Sequence, residues 1–259
     1  MDLKDKIIVI TGGGRGIGRA LCERFAAESP KQIVVLDKDK NNADDVAEKI
    51  GGVAFDADVG CEHTINQIVQ TIEKDFGPID LFCANAGIGI SGGVETSNDD
   101  WKKIIDVNFM SHVFSSRAVL PGMIERGSGY LLHTVSAAGL LTQLGSVSYA
   151  VTKHAALAFA EWLSITHYDE GIRVSCLCPQ GVWTDMLKSD DPAITMLHEA
   201  AISAEKVADA VVEGIRNEQF LILPHPEVAT YFQHKANDYE RWLGGMRKLQ
   251  RGLGAQKNG

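Results

Sequence analysis

The chain of 259 residues is short of several things, and each shortage closes off a class of function. Basic residues are in deficit: 25 Lys and Arg stand against 34 Asp and Glu, a formal net charge of -9. Such a balance provides no broad basic face, so neither nucleic acid nor a membrane surface is an expected partner. Long apolar runs are missing, since none reaches the roughly 18 residues of a membrane span. Met1-Asp2-Leu3-Lys4-Asp5-Lys6 leads into only four apolar residues before Thr11 and Gly12, a strand entrance without the apolar core of a secretory leader. Cysteines are few, odd in number and scattered, at 22, 61, 83, 176 and 178, which excludes a disulfide framework by pattern. Buried thiols in a reducing cytoplasm are the expectation. The eight histidines are equally dispersed, and no metal site is expected.

What the sequence does have is regular alternation. Seven short runs rich in β-branched residues, 7–10, 33–36, 53–57, 79–83, 130–135, 174–178 and 220–223, read as strands. They are almost continuously apolar, as strands covered on both faces must be. Helix-like segments separate them, near 16–28, 41–49, 63–76, 99–125, 149–169 and 203–216. This order predicts an α/β fold with a parallel sheet wound on both sides by helices. Residues 1–225 form one expected domain, with a less regular segment at 184–202 placed as a substrate flap. Residues 226–259 form an expected helical extension, in which Phe232, Ala236, Tyr239, Leu243 and Met246 fall at steps of four and three. Such a seam would bury against its own domain or a neighbouring subunit.

The first strand runs into Thr11-Gly12-Gly13-Gly14-Arg15-Gly16-Ile17-Gly18. Glycines let the backbone turn tightly and admit a pyrophosphate to the amides of the following helix. Asp37 closes the second strand about 20 residues later, where a carboxylate accepts from adenosine ribose hydroxyls and repels a 2′-phosphate. Arg15 and Lys38 bear the opposite charge and would suit that phosphate. Like charge beside Asp37 outweighs them, so NAD(H) is expected in preference to NADP(H). Asp58 and Val59, after the third strand, are placed to meet the adenine.

Tyr149 and Lys153 lie one helical turn apart, on one helix face. A free tyrosine has a pKa near 10, and bringing it to neutrality takes about 4 kcal/mol, which a nearby ammonium and a nicotinamide cation can supply. Ser136 ends the fifth strand, with a hydroxyl placed to hold an oxygen on which charge develops.

In order and spacing, Thr11–Gly18, Asp37, Ala84-Asn85-Ala86-Gly87, Asn108, Ser136, Tyr149-x-x-x-Lys153 and Pro179–Thr184 resemble the short-chain dehydrogenase/reductase family, in its single-domain branch. The resemblance spans at least residues 5–225 and implies a Rossmann-type, seven-stranded sheet in three layers. It implies that Tyr149 transfers the proton, Ser136 polarises the oxygen, and Lys153 holds the nicotinamide ribose and lowers the tyrosine pKa. Asn108 would help to hold a relay water. Gly12, Arg15, Gly16, Ile17, Gly18, Asp37, Asp58, Val59, Asn85, Ala86, Gly87, Tyr149, Lys153, Pro179, Val182 and Thr184 become the expected cofactor contacts. The chain departs from the family at Ala84, where Asn is usual, and at Gln180, where Gly is usual.

Ile88, Ile90, Leu140, Leu141, Gln143, Trp183, Met186 and Leu187 are candidates for the cleft lining, and their apolar character suits a lipophilic alcohol or ketone. Ala138, Gln143, Gln180 and Trp183 are the expected substrate contacts. By resemblance, the long helices after the fourth and fifth strands pair across a dimer interface, so a homodimer or homotetramer is expected. Two alternatives stay open: an NADP(H)-dependent reductase of carbonyls or 3-oxoacyl thioesters, and a dinucleotide-sensing protein without catalysis.

Overall fold

The computed structural model describes residues 1–188 and 191–257. Seven strands form one all-parallel sheet: β1 (Ile7–Thr11), β2 (Gln32–Asp37), β3 (Val53–Asp56), β4 (Leu81–Ala84), β5 (Gly129–Thr134), β6 (Ile172–Leu177) and β7 (Leu221–Ile222), in the order β3-β2-β1-β4-β5-β6-β7. The third and seventh strands are thus shorter than expected. Strand order reverses between β1 and β4, which pair with Val9 opposite Phe82. A crevice opens beyond the strand ends at such a switch point.

The continuous apolar runs have a direct cause in the alternation of side chains along a strand. Ile7, Val9, Val34, Leu36, Phe82 and Leu131 enter one core. Ile8, Ile10, Ile33, Val35, Leu81 and Leu132 enter the other. The first core is covered by α3 (Glu62–Asp75) with Ile65 and Ile72, α5 (Ser111–Glu125) with Val119 and Met123, and α7 (Val147–His167) with Leu157 and Leu163. The second is covered by α1 (Gly16–Ala26) with Leu21 and Phe25, α2 (Lys40–Ile50) with Val46, and α9 (Ala204–Arg216) with Val207 and Ile215. Helix starts carry local signals: Asp39, Ser97, Ser146 and Ser203 each accept a hydrogen bond from a first-turn amide.

Two helical expectations need correction. The segment expected as one helix over 99–125 is α4 (Asn98–Ile105), a π-helical turn (Asp106–Met110) and α5. The wider turn brings Asn108 inward, where its amide bonds both backbone groups of Ile88. The tail seam is also interrupted, because Asp238 is extended (φ -150) between α10 (Glu227–Asn237) and α11 (Tyr239–Lys257). Its carboxylate accepts from Arg241 N–H and starts a new helix. Phe232 and Tyr239 are consequently exposed, while Val228 is buried and Trp242 packs on the first core.

Of the expected flap at 184–202, residues 189–190 lie outside the described residues. The remainder includes a 3₁₀ turn (Asp185–Leu187) and α8 (Pro192–Thr195), on which α11 packs. Residues 258–259 of the tail likewise lie outside. No helix among the described residues is long and apolar enough to cross a membrane.

Candidate active site

The glycine turn is shaped by approaches that no side chain would permit. Gly12 has φ +63, and a Cβ there would lie 2.9 Å from the Ala86 Cα. A Cβ on Gly18 would lie 2.0 Å from the Gly12 carbonyl oxygen. Helix α1 therefore starts hard against its own loop. Its N-cap, Arg15, makes no side-chain cap, so the first amides are left for an anion. This cradle fits a dinucleotide pyrophosphate.

Asp37 reaches back into the turn: Oδ2 accepts from Gly14 N–H at 2.9 Å and Oδ1 from Asp39 N–H at 3.0 Å. Lys38 turns away and pairs with Asp58 at 2.8 Å, which holds the Asp58 carboxyl below the usual carboxylate range. Arg15 is largely exposed and comes only to 4.0 Å from Asp185.

The loop after β4 is fixed by Thr11. Its hydroxyl accepts from Asn85 N–H and Ala86 N–H, at 2.9 and 3.0 Å, and donates to the Cys83 carbonyl. The Asn85 side chain donates to Thr11 O and accepts from the Thr134 hydroxyl, so β1, β4 and β5 meet there. Gly87 faces the next group: a Cβ on it would lie 3.5 Å from Asn108 Oδ1 and 3.6 Å from Lys153 Nζ.

Ser136, Tyr149 and Lys153 converge at this point. Ser136 caps the single-turn helix α6 (Ala137–Leu140), its hydroxyl accepting from Ala138 N–H at 3.1 Å. Lys153 is buried, donates to the Thr134 carbonyl at 2.9 Å and sits 5.6 Å from the centre of the Tyr149 ring. Burial brings the lysine down to about 8. Burial also pushes the Tyr149 phenol up, against a hydrogen bond with Ser136 that favours ionisation. The lowering expected from the sequence draws on a bound nicotinamide cation as well as on the Lys153 ammonium. Without that second charge, burial outweighs the Ser136 hydrogen bond.

After β6, Pro179 accepts from Ala137 N–H, and Val182 pairs with Ile202. Thr184 closes over the glycine turn, its Cγ2 being 3.2 Å from where a Gly16 Cβ would stand. The glycine turn, Asp37, the 85–87 loop, the Tyr149–Lys153 pair and Thr184 thus lie next to one another at the strand ends. Ile17 is half-buried in α1, and Val59 belongs to the first core.

The expected substrate residues are less uniform. Trp183 is exposed and lies against His198, with ring centres 5.1 Å apart; Met186 is exposed, its Cγ 3.8 Å from where a Gly89 Cβ would stand. Gln143 is half-buried and donates to the Leu144 carbonyl. Ala138 is buried, and Leu140 and Leu141 belong to the first core instead of lining a cleft. Leu187 is buried as well. The Gln180 side-chain oxygen is buried and makes no protein hydrogen bond.

Three residues with site roles carry no local sequence cue. Thr134 supplies the acceptor for Lys153, and Thr152 links Asn108 to the Tyr149 carbonyl. His225, 45 residues away, accepts from Gln180 N–H and bonds the Gly181 carbonyl. Among the described residues no group of three or more His, Cys, Asp or Glu is disposed to hold a metal.

A nucleotide cradle at a sheet switch point, with a tyrosine–lysine–serine group at its open end, defines a dinucleotide-dependent oxidoreductase. A model of the short chain dehydrogenase family matches residues 6–194, and the chain belongs to that family. It is 31% identical over 250 residues to 1-deoxy-11-beta-hydroxypentalenate dehydrogenase of Streptomyces exfoliatus, covering 93% of this chain and 90% of the relative. It is 32% identical to meso-2,3-butanediol dehydrogenase of Serratia marcescens, over 72% of this chain and 75% of that one. A short-chain dehydrogenase/reductase from Burkholderia phymatum, solved in complex with NAD, superposes with TM-score 0.85 at 27% identity, over 93% of this chain and 96% of that chain. The protein is therefore an NAD(P)-dependent oxidoreductase acting on the CH–OH group of secondary alcohols and on the corresponding ketones.

Proposed function

We propose that the chain interconverts a lipophilic secondary alcohol and its ketone with NAD(H) in preference to NADP(H), using Tyr149 as acid and base. The carrying observation is the convergence of Lys153, Tyr149 and Ser136 beside Gly87 and Asn108. Bound nicotinamide supplies or takes the hydride. The Ser136 hydroxyl donates to the substrate oxygen, and the Tyr149 phenol gives that oxygen its proton in reduction. Lys153 holds the ribose hydroxyls and steadies the phenolate left behind. Asn108 keeps the Gly87–Ile88 backbone in place through its two bonds to Ile88.

The preference for NAD(H) is supported by the double role of Asp37 in the glycine turn and by Lys38, whose charge is already taken by Asp58. A lipophilic substrate is supported by exposed Trp183 and Met186 at the crevice. The relative named for a hydroxypentalenate agrees with that reading, while the one named for butanediol leaves room for a smaller diol. Residues 1–225 would act as the dehydrogenase unit and the tail as its cover. Assembly as a homodimer or homotetramer is supported by Val151, Trp162 and Ile165, which with Ala155 and Ala158 form an outward apolar stripe on α7. A cytoplasmic location is supported by five free cysteines.

The test is a survey at 340 nm of NAD with 2-octanol, cyclohexanol and 1-phenylethanol, and of NADH with the matching ketones. Turnover confined to sugars or phosphorylated compounds would refute the lipophilic substrate. Tight NADPH binding with none for NADH, by fluorescence titration, would overturn the cofactor preference.

A further inference from the structure

Resting on the role given above to Ser136, we infer that Lys235 of the tail is a positioning residue that holds the Ser136 turn for catalysis. The turn is slight. Helix α6 is four residues long, with Ser136 as its N-cap at one end and the Leu140 carbonyl at the other. Lys235 Nζ donates to that carbonyl at 2.7 Å, across 95 residues of sequence. Its ammonium forms no ion pair among the described residues and lies 5.7 Å from the centre of the Tyr239 ring. A cation fits there, because the last carbonyls of a helix lack partners and carry the negative end of its dipole.

Two further features show why the turn needs holding from outside. Thr142, two residues beyond it, has φ +111, a conformation that β-branched residues avoid. On its other side the turn is pressed onto α7, where a Cβ on Gly139 would lie 2.7 Å from the Lys153 carbonyl oxygen. The turn is therefore wedged between the catalytic helix and the tail. The tail is itself fixed, through buried Val228 and through Trp242 on the first core. A hydroxyl that must meet an oxygen on which charge develops tolerates little displacement. Releasing the far end of a single turn moves its N-cap.

The test compares Lys235→Met and Lys235→Arg, each with Ser136 present and with Ser136→Ala. The readouts are NADH-dependent reduction of the ketone turned over fastest in the panel, NADH affinity, and amide hydrogen exchange at residues 138–142. Lys235→Met is expected to lower kcat/KM about tenfold, mainly in kcat, the scale of one charge-assisted hydrogen bond. NADH affinity should stay within twofold, and Lys235→Arg should recover most of the rate. In the Ser136→Ala background the same change should cost nothing further, and exchange at 138–142 should quicken about tenfold in Lys235→Met. An equal loss with and without Ser136, or unchanged exchange at 138–142, would overturn the inference. If Lys235→Met does not fold, Lys235→Gln takes its place. If the unaltered protein reduces no ketone, the functional reading falls, and the exchange measurement alone decides whether Lys235 holds the turn.

Discussion

The two walls of the crevice are built differently. On the cofactor wall, nearly every polar group is answered by a neighbour close in sequence or on an adjacent strand: Asp37 by Gly14 and Asp39, Lys38 by Asp58, Thr11 by Asn85 and Ala86. The substrate wall depends on distant partners, with His225 holding Gln180 and, behind the wall, Lys235 holding the end of the Ser136 turn. It also leaves things open: the Gln180 oxygen has no protein partner, and Trp183 and Met186 face solvent. A wall that recognises one constant ligand can be closed and locally encoded. A wall that must admit a particular molecule keeps surfaces free for it.

If this contrast holds, damage to the two walls should separate in the kinetics. The largest effect belongs to Tyr149→Phe, which removes the proposed proton donor at their junction. Its kcat should fall about a thousandfold, within the range for lost general acid catalysis, with NADH affinity within twofold by fluorescence titration. An unchanged kcat would sink the proposed chemistry. Gly18→Ala tests the cofactor wall alone, since its Cβ would meet the Gly12 carbonyl at 2.0 Å. NADH affinity should drop about a hundredfold or more, and the melting temperature with it.

Acid should act on the fold behind both walls. His112 and His133 are buried with their Nδ1 atoms 2.8 Å apart, and burial holds His112 well below its ordinary value and His133 at about 4. The unfolded chain takes up these protons near pH 6.5, while the folded chain refuses them until lower pH. Stability is therefore present above about 6.5 and is lost as pH falls towards 4, by about 3 kcal/mol for His133. Melting curves across that window should show the loss, and His133→Phe should flatten it. The smallest effect falls on the open wall: Trp183→Ala should change KM for a lipophilic ketone a few-fold and leave NADH affinity untouched.

The same contrast explains how far the sequence could be read. The strands were legible because burial on both faces writes itself as unbroken apolar runs, and the glycine turn because its steric demands fall within eight consecutive residues. Tyr149 and Lys153 were legible because one helical turn fixes their spacing. The π-helical turn at Asn108 was hidden, since no glycine or proline marks it; only the amide's bonds to Ile88 reveal why the helix widens. The core placement of Leu140 and Leu141 was hidden too, because apolar residues after a strand suit a cleft and a core equally. The break at Asp238 had a visible capping residue, but the regular apolar steps around it suggested continuity.

The Thr11 hydroxyl has a kinetic consequence. With two N–H groups donating to it and its own proton given to Cys83, it has used its full capacity for hydrogen bonding. The backbone at 85–86, among the residues proposed to contact the dinucleotide, is thus set when β1 and β4 pair during folding. Little ordering entropy is left to be lost when the dinucleotide arrives. Its association should be a single fast phase whose rate scales with NADH concentration, and any slow, saturable step should appear only when substrate meets the opposite wall.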